Sequence, residues 1–257
     1  MRSLWLNGVC HNNELSPQSL KLREAGRCGL LSCNENRLKS CTMVSSPLVI
    51  TTVPTDTWVE ADWEDFLTFA DDPTLVSGRF YYDQNHMRIE MSPLGVAHGR
   101  GNSIVSTVVI LYAAIKRIPI KELTNTSFRK ARLQEAQPDI AFYIGEGFQS
   151  LPHNNSPVNL NELMPPTLVV EIAASSLEDD LDRKQKLYQR MGVKEYWVVN
   201  VSTSRVIAMS LAAAEAMGLD ESLVLPGLAI ALVEEALRRS QTEDDGAISR
   251  WLLATFQ

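Results

Sequence analysis

Apolar positions along this chain fall into short continuous or alternating runs, interrupted by one longer stretch at helical spacing. Asp62 to Phe69 opens with a capping carboxylate and an acidic first turn, which predicts a short helix that Asp71-Asp72-Pro73 ends. Phe80-Tyr81-Tyr82-Asp83 and Met87-Arg88-Ile89-Glu90-Met91 flank Gln84-Asn85-His86, the pattern of a β-hairpin with a three-residue turn, closed by Ser92-Pro93. From His98 to Lys116, residues Ile104, Val105, Val108, Leu111, Tyr112 and Ile115 recur at helical spacing and predict a long amphipathic helix.

Strand-like text resumes near Pro119, again from Thr126 to Leu133, and in Gln137 to Ile144. Gly145 to Pro166 reads as a long polar loop. Leu168-Val169-Val170-Glu171-Ile172-Ala173 is a buried strand that carries one carboxylate, and a charged helix from Asp180 to Met191 follows, stopped by Gly192. Glu195 to Val201 and Arg205 to Met209 are two strands around a Ser-Thr-Ser turn. Leu232 to Arg239 reads as helix, and Thr242 to Gly246 as solvated. Strands interleaved with helices predict an α/β fold, a mixed β-sheet flanked by helices.

Composition narrows the class. A 45% hydrophobic share supplies a full core for 257 residues, and no apolar run reaches membrane-spanning length. The net charge of −7 argues against a broad basic surface that coats nucleic acid, though a local basic groove stays compatible with it. All four cysteines, Cys10, Cys28, Cys33 and Cys41, lie in the first 41 residues without C-x₂-C spacing, a weak zinc pattern. The cysteine-free remainder fits a reducing cytoplasm. Residues 1–42 are net basic and unpatterned, and Met43 opens a different text. The expectation is a disordered or mis-annotated extension over 1–42, a folded domain over 43–240 and a tail over 241–257.

The candidate chemistry lies in the acids. An ionised Glu171 among branched aliphatics loses hydration worth several kcal/mol unless a cation compensates it. Asp139 occupies a similar hydrophobic frame after Pro138, and Glu90 ends the hairpin. Lys184 follows on the charged helix. Phosphodiester hydrolysis needs a cation to polarise phosphoryl oxygens and activate water, and a lysine nearby to offset developing charge. Each residue has a plainer reading. Asp139 could serve a turn, Glu90 a solvated edge, Lys184 a solvated helix face, and His98 a helix cap. Tyr188, Tyr196 and Trp197 suit base stacking but read as packing beside Val198-Val199.

Ordered marks add a resemblance. Ile89-Glu90-Met91-Ser92-Pro93 with His98, Pro138-Asp139, Val169 to Ala173, and Ser175-Ser176-Leu177 precede Asp180, Lys184 and Leu187-Tyr188. Gly192 to Val199 and Leu225-Pro226-Gly227-Leu228 complete the set. From Trp63 to Leu232 the chain resembles the Uma-type restriction endonucleases of the PD-(D/E)XK nuclease superfamily, abundant in cyanobacteria. The resemblance implies a restriction-endonuclease-like core, with Asp139 and Glu171 as ligands of Mg²⁺ (or Mn²⁺), Glu90 as a further acid and DNA as substrate. The superfamily lysine belongs two positions after the second acid, where this chain has Ala173. Lys184 is its migrated replacement.

The favoured expectation is therefore a metal-dependent DNA endonuclease with Glu90, Asp139, Glu171 and Lys184 as catalytic residues. His98, Arg129, Lys130 and Arg132 are expected on the substrate, with a homodimer serving to cut both strands and no membrane partner. An inactive nuclease-fold module that binds nucleic acid or protein is the alternative, favoured by Ala173 and the acidic charge. A hydrolase of small phosphorylated molecules is the third.

Overall fold

The computed structural model describes residues 19–22 and 51–257, apart from 76, 92–94, 146–150, 174–176 and 214. Most of the expected extension, the Ser92-Pro93 and Ser175-Ser176 marks and the start of the long loop lie outside the described residues.

Strands β1 (Ser19–Leu22) and β2 (Thr51–Pro54) pair antiparallel as a two-stranded ribbon, so four residues of the expected extension form a strand. Then follow β3 (Trp58–Glu60), α1 (Trp63–Ala70), β4 (Arg79–Asp83), β5 (His86–Glu90), α2 (Val96–Lys116), β6 (Ile120–Thr124), β7 (Phe128–Lys130), β8 (Gln134–Ala136), β9 (Ile140–Ile144), β10 (Val158–Asn159) and β11 (Leu168–Ala173). A helical segment runs as α3 (Leu177–Asp179), a π-type turn (Asp180–Lys184) and α4 (Gln185–Met191). The chain ends with β12 (Glu195–Asn200), β13 (Arg205–Ser210), β14 (Met217–Leu219), α5 (Ile230–Arg239) and α6 (Asp245–Phe256).

The strands from β3 onward form two six-stranded sheets. The central one has the order β14-β13-β12-β11-β9-β6 and is mixed, with β11 parallel to β12 and antiparallel to β9. The other, β10-β7-β8-β4-β5-β3, carries the hairpin. Alternation along the central strands sends side chains to opposite faces. Ile140, Phe142, Leu168, Val170, Ile172, Trp197 and Val199 pack with α2, α5 and α6. Ala141, Tyr143, Val169, Ala173, Tyr196 and Val198 pack toward the second sheet, together with Leu187 and Tyr188 of α4. Glu171 stands between Val169 and Ala173 in this alternation, so it faces α4 and the hairpin sheet.

The short helix starts one residue later than its cap, as expected, with Asp62 accepting from the Asp65 amide at 2.7 Å. The hairpin turn has two residues rather than three. Gln84 and Asn85 both take positive φ (48° and 56°), the twist-matched geometry of a two-residue hairpin, and His86 joins the strand. The long polar loop contributes β10, which runs parallel to β7. At Gly101 a Cβ would lie 3.0 Å from both Ile172 and Val201 side chains. That close approach brings the start of α2, with His98, onto β11.

The segment 241–257 is not a tail. Asp244 caps α6 by accepting from the Ala247 amide at 2.9 Å, and Ile248, Leu252 and Phe256 recur four apart and join the core against α2. The polar run over 242–246 is exposed as expected, apart from half-buried Glu243, and it leads into this helix. Leu252→Ala is expected to cost about 2–5 kcal/mol in chemical denaturation, the range for emptying a buried leucine site. A change below about 0.5 kcal/mol, as for an ordinary surface position, contradicts the assignment.

Candidate active site

Hairpin, central sheet and helix converge on one buried charged cluster. The antiparallel register of β9 and β11 pairs Ile140 with Val170, which sets Asp139 beside Glu171 across the strands. From the hairpin, register places Arg79 opposite Glu90, at the end away from the turn. The helical segment contributes Asp180 and Lys184 from its π-type turn, a form of local distortion frequent at functional sites. Lys184, Glu171, Asp139 and Asp180 are each only 1% exposed, and Glu90 6%. The plainer readings of Lys184 and Glu90 as solvated residues are thereby excluded.

The Lys184 ammonium lies 2.9 Å from Glu90, 3.0 Å from Asp180 and 3.8 Å from Glu171. It also donates toward the Tyr81 hydroxyl at 3.4 Å and sits 4.4 Å from the centre of that ring, a cation–π contact. Arg79 reaches Glu90 at 2.9 Å and Asp139 at 2.5 Å. His98 Nε2 stands 3.0 Å from the Asp139 oxygen that Arg79 also touches, and the Ile172 amide donates to the other oxygen at 2.7 Å. Tyr188 donates to Glu171 at 2.6 Å. Arg88 braces Glu90 at 2.9 Å and donates to the Asp56 carbonyl at 2.7 Å.

This arrangement divides the charge unevenly. Burial would raise the Glu90 carboxyl, but Lys184, Arg79 and Arg88 bring it down to about 2. Asp139 is held below the ordinary range because the His98 contact, the Arg79 charge and the Ile172 amide outweigh its burial. Glu171 goes the other way. Burial, with Asp139 and Asp180 close by, raises it well above the ordinary value despite Lys184 and Arg79. Burial works against the charged Lys184, yet Glu171, Tyr81, Glu90 and Asp180 keep it protonated well above the usual lysine range. Environments that push neighbouring acids apart are a signature of assigned catalytic roles.

Not every expected residue belongs to the cluster. His98 is present, but its ring faces Asp139 and not an open phosphate seat. The Arg129 guanidinium is taken by Glu135 and, at 2.9 Å, by Asp71. It borders a cavity of about 480 Å³ that also carries Asp72, so the wall is net negative and unsuited to a phosphate. Lys130 and Arg132 lie by the hairpin turn next to Asp83 and Arg190. The β4 strand separates that end from Arg79 by about 13 Å at 3.3 Å per residue. The basic run before Asp139 therefore does not line the cluster. Conversely, Arg79 and Tyr81 were not expected there. The hairpin register sets Arg79 opposite Glu90 and Tyr81 opposite Arg88, a placement that only strand pairing reveals. Tyr196 and Trp197 are fully buried and serve packing.

The profile of the family described as "Uma2: Putative restriction endonuclease" matches residues 63–243, most of the chain. The chain belongs to the Uma2 family. No curated protein matches it. Among solved structures, one described as a "putative nuclease belonging to DUF820" from Anabaena variabilis superposes with a TM-score of 0.50 at 16% identity. That match covers 68% of this chain and 98% of the other, and it shows the nuclease fold. Within the Uma2 match, the expected quartet Glu90, Asp139, Glu171 and Lys184 is the group that the fold brings together.

Because the folded-state value of Glu90 lies below the ordinary 4.5, its ionised form stabilises the protein above that pH, and this is lost as the pH falls toward 2. Glu90→Gln should lower the melting temperature at pH 7, with the gap to wild type closing as the pH drops below about 4.5. A gap independent of pH contradicts the ion-pair assignment.

Proposed function

We propose that this Uma2-family chain is a divalent-metal-dependent endonuclease that hydrolyses phosphodiester bonds of DNA. The observation that carries the reading is the Lys184 ammonium, buried 3.8 Å from Glu171 and anchored by Glu90, where the strand itself offers only Ala173. A lysine is not buried among three carboxylates cheaply, since each desolvated charge costs several kcal/mol before pairing.

The donor set fits a hard cation. Asp139 and Glu171 are cross-strand oxygen donors, and burial, with Asp139 and Asp180 close by, raises the Glu171 carboxyl well above the ordinary value. Among the described residues no three acidic, His or Cys side chains converge into a ready cage. Asp139 and Glu171 would hold Mg²⁺, which commonly takes one or two carboxylates with water and substrate phosphate completing the shell, or Mn²⁺ as its substitute. When bound, such an ion supplies Lewis acidity toward the phosphoryl group and lowers the pKa of its water.

The chain's own residues do the rest. Lys184 stays protonated, so its part is electrostatic: it holds a positive charge where negative charge develops on the phosphoryl oxygens. Glu90 and Asp180 fix its position. His98 and the Ile172 amide fix the Asp139 carboxylate, and Tyr188 orients Glu171. Two copies would serve to cut both strands of a duplex.

A nuclease-fold module without catalysis is the second reading, favoured by Arg79 already neutralising Asp139. Plasmid DNA incubated with the full-length protein in Mg²⁺ or Mn²⁺ separates the two. Cleavage lost with EDTA and in Glu171→Ala is the expected result, and Lys184→Met should slow it by roughly 10²–10³ while remaining folded by circular dichroism. Absence of cleavage in either ion overturns the nuclease and favours the binding module.

A further inference from the structure

The Asp139 carboxylate is fully engaged. One oxygen takes the Ile172 amide, and the other takes both His98 and Arg79. Ion binding through that second oxygen would put a divalent charge within a few ångströms of a guanidinium, and two like charges at that range repel strongly where solvent is excluded. Something must leave. His98 is buried on α2, and the Ile172 amide is backbone. Arg79 differs from both. Its side chain keeps 18% of its surface exposed, against 2% for Asp139 and 5% for Glu90, so it is the outermost member of the group.

Arg79 also has somewhere to stay. Its other nitrogen holds Glu90, opposite which the hairpin register places it. Glu90 has Lys184 and Arg88 besides, so its charge does not depend on Arg79. Positive charge is therefore in excess around Glu90.

The geometry points to Arg79 as a built-in occupant of the cation's place: it neutralises Asp139 until a divalent ion binds, and must release that carboxylate for the ion to enter. The inference rests on the reading of Asp139 and Glu171 as metal ligands. It makes Arg79 a positioning residue that sets the ion affinity, bridging Glu90 and Asp139 in the ion-free protein. Released from Asp139 and still tethered to Glu90, the guanidinium is placed to meet an incoming phosphate.

Calorimetric titration of the full-length protein with Mn²⁺ alone tests this without reference to cleavage. Arg79→Met is expected to bind Mn²⁺ about tenfold tighter or more, since removing one cation beside a carboxylate is worth at least that factor at an effective dielectric near 20. Adding Asp139→Asn to Arg79→Met should abolish the gain. Equal or weaker binding by Arg79→Met, with wild-type binding still dependent on Asp139, overturns the inference and leaves the metal reading intact. Absence of Mn²⁺ binding in both wild type and Arg79→Met overturns the two together. If Arg79→Met fails to fold in a thermal melt, Arg79→Lys carries the test. Its single ammonium cannot bridge Glu90 and Asp139 as the fork does, so a smaller gain is expected and unchanged affinity overturns the proposal.

Discussion

One buried ammonium holds the architecture around the site together. Lys184 leaves its helix to meet Glu90 from the hairpin, Asp180 from its own turn and Glu171 from the central sheet. Three elements that already share one apolar cluster are thus also joined at a single charged point. Burying such a group is costly, and partial removal is costlier: breaking a buried pair from one side typically costs about 3–5 kcal/mol. The geometry of hairpin, strand and helix is therefore constrained jointly, to the tolerance that salt-bridge distances allow.

That constraint explains how the chain manages with Ala173. A lysine on the strand two residues beyond Glu171 would project to the same face, into a region now filled by Tyr188, Tyr196 and Leu187. Here the strand stays apolar and the charge arrives from α4's side, on a side chain long enough to reach past Tyr81. Against burial, Lys184, Arg79 and Arg88 hold Glu90 below the ordinary carboxylate range, and His98 and Arg79 contacts hold Asp139 there, while burial raises Glu171. In the proposed reading, Glu171 is the carboxylate that a bound cation would compensate.

Local pattern revealed much of this and missed what depends on pairing. Glu171 and Asp139 stood out because a carboxylate in an apolar strand is anomalous within its own few residues. The long helix and hairpin were legible from periodicity. Arg79 was not, since an arginine at a strand start looks like any surface cation until register sets it opposite Glu90. Arg129 failed for the same reason in reverse: its basic run suggested a phosphate path, whereas Glu135 and Asp71, the first paired with it across β7 and β8, had already claimed the guanidinium. The helix α6 hid behind a polar start. Its Ile248, Leu252 and Phe256 repeat is narrow, and only the partner α2 shows that it is core.

Asp139 and Glu171 are proposed to form a cation site beside Lys184, and a crystal soaked in Mn²⁺ and measured at the manganese absorption edge decides it. An anomalous peak at the Asp139 and Glu171 carboxylates is expected, with Arg79 withdrawn from Asp139. A peak elsewhere, or none at saturating Mn²⁺ with Arg79 still on Asp139, would contradict it.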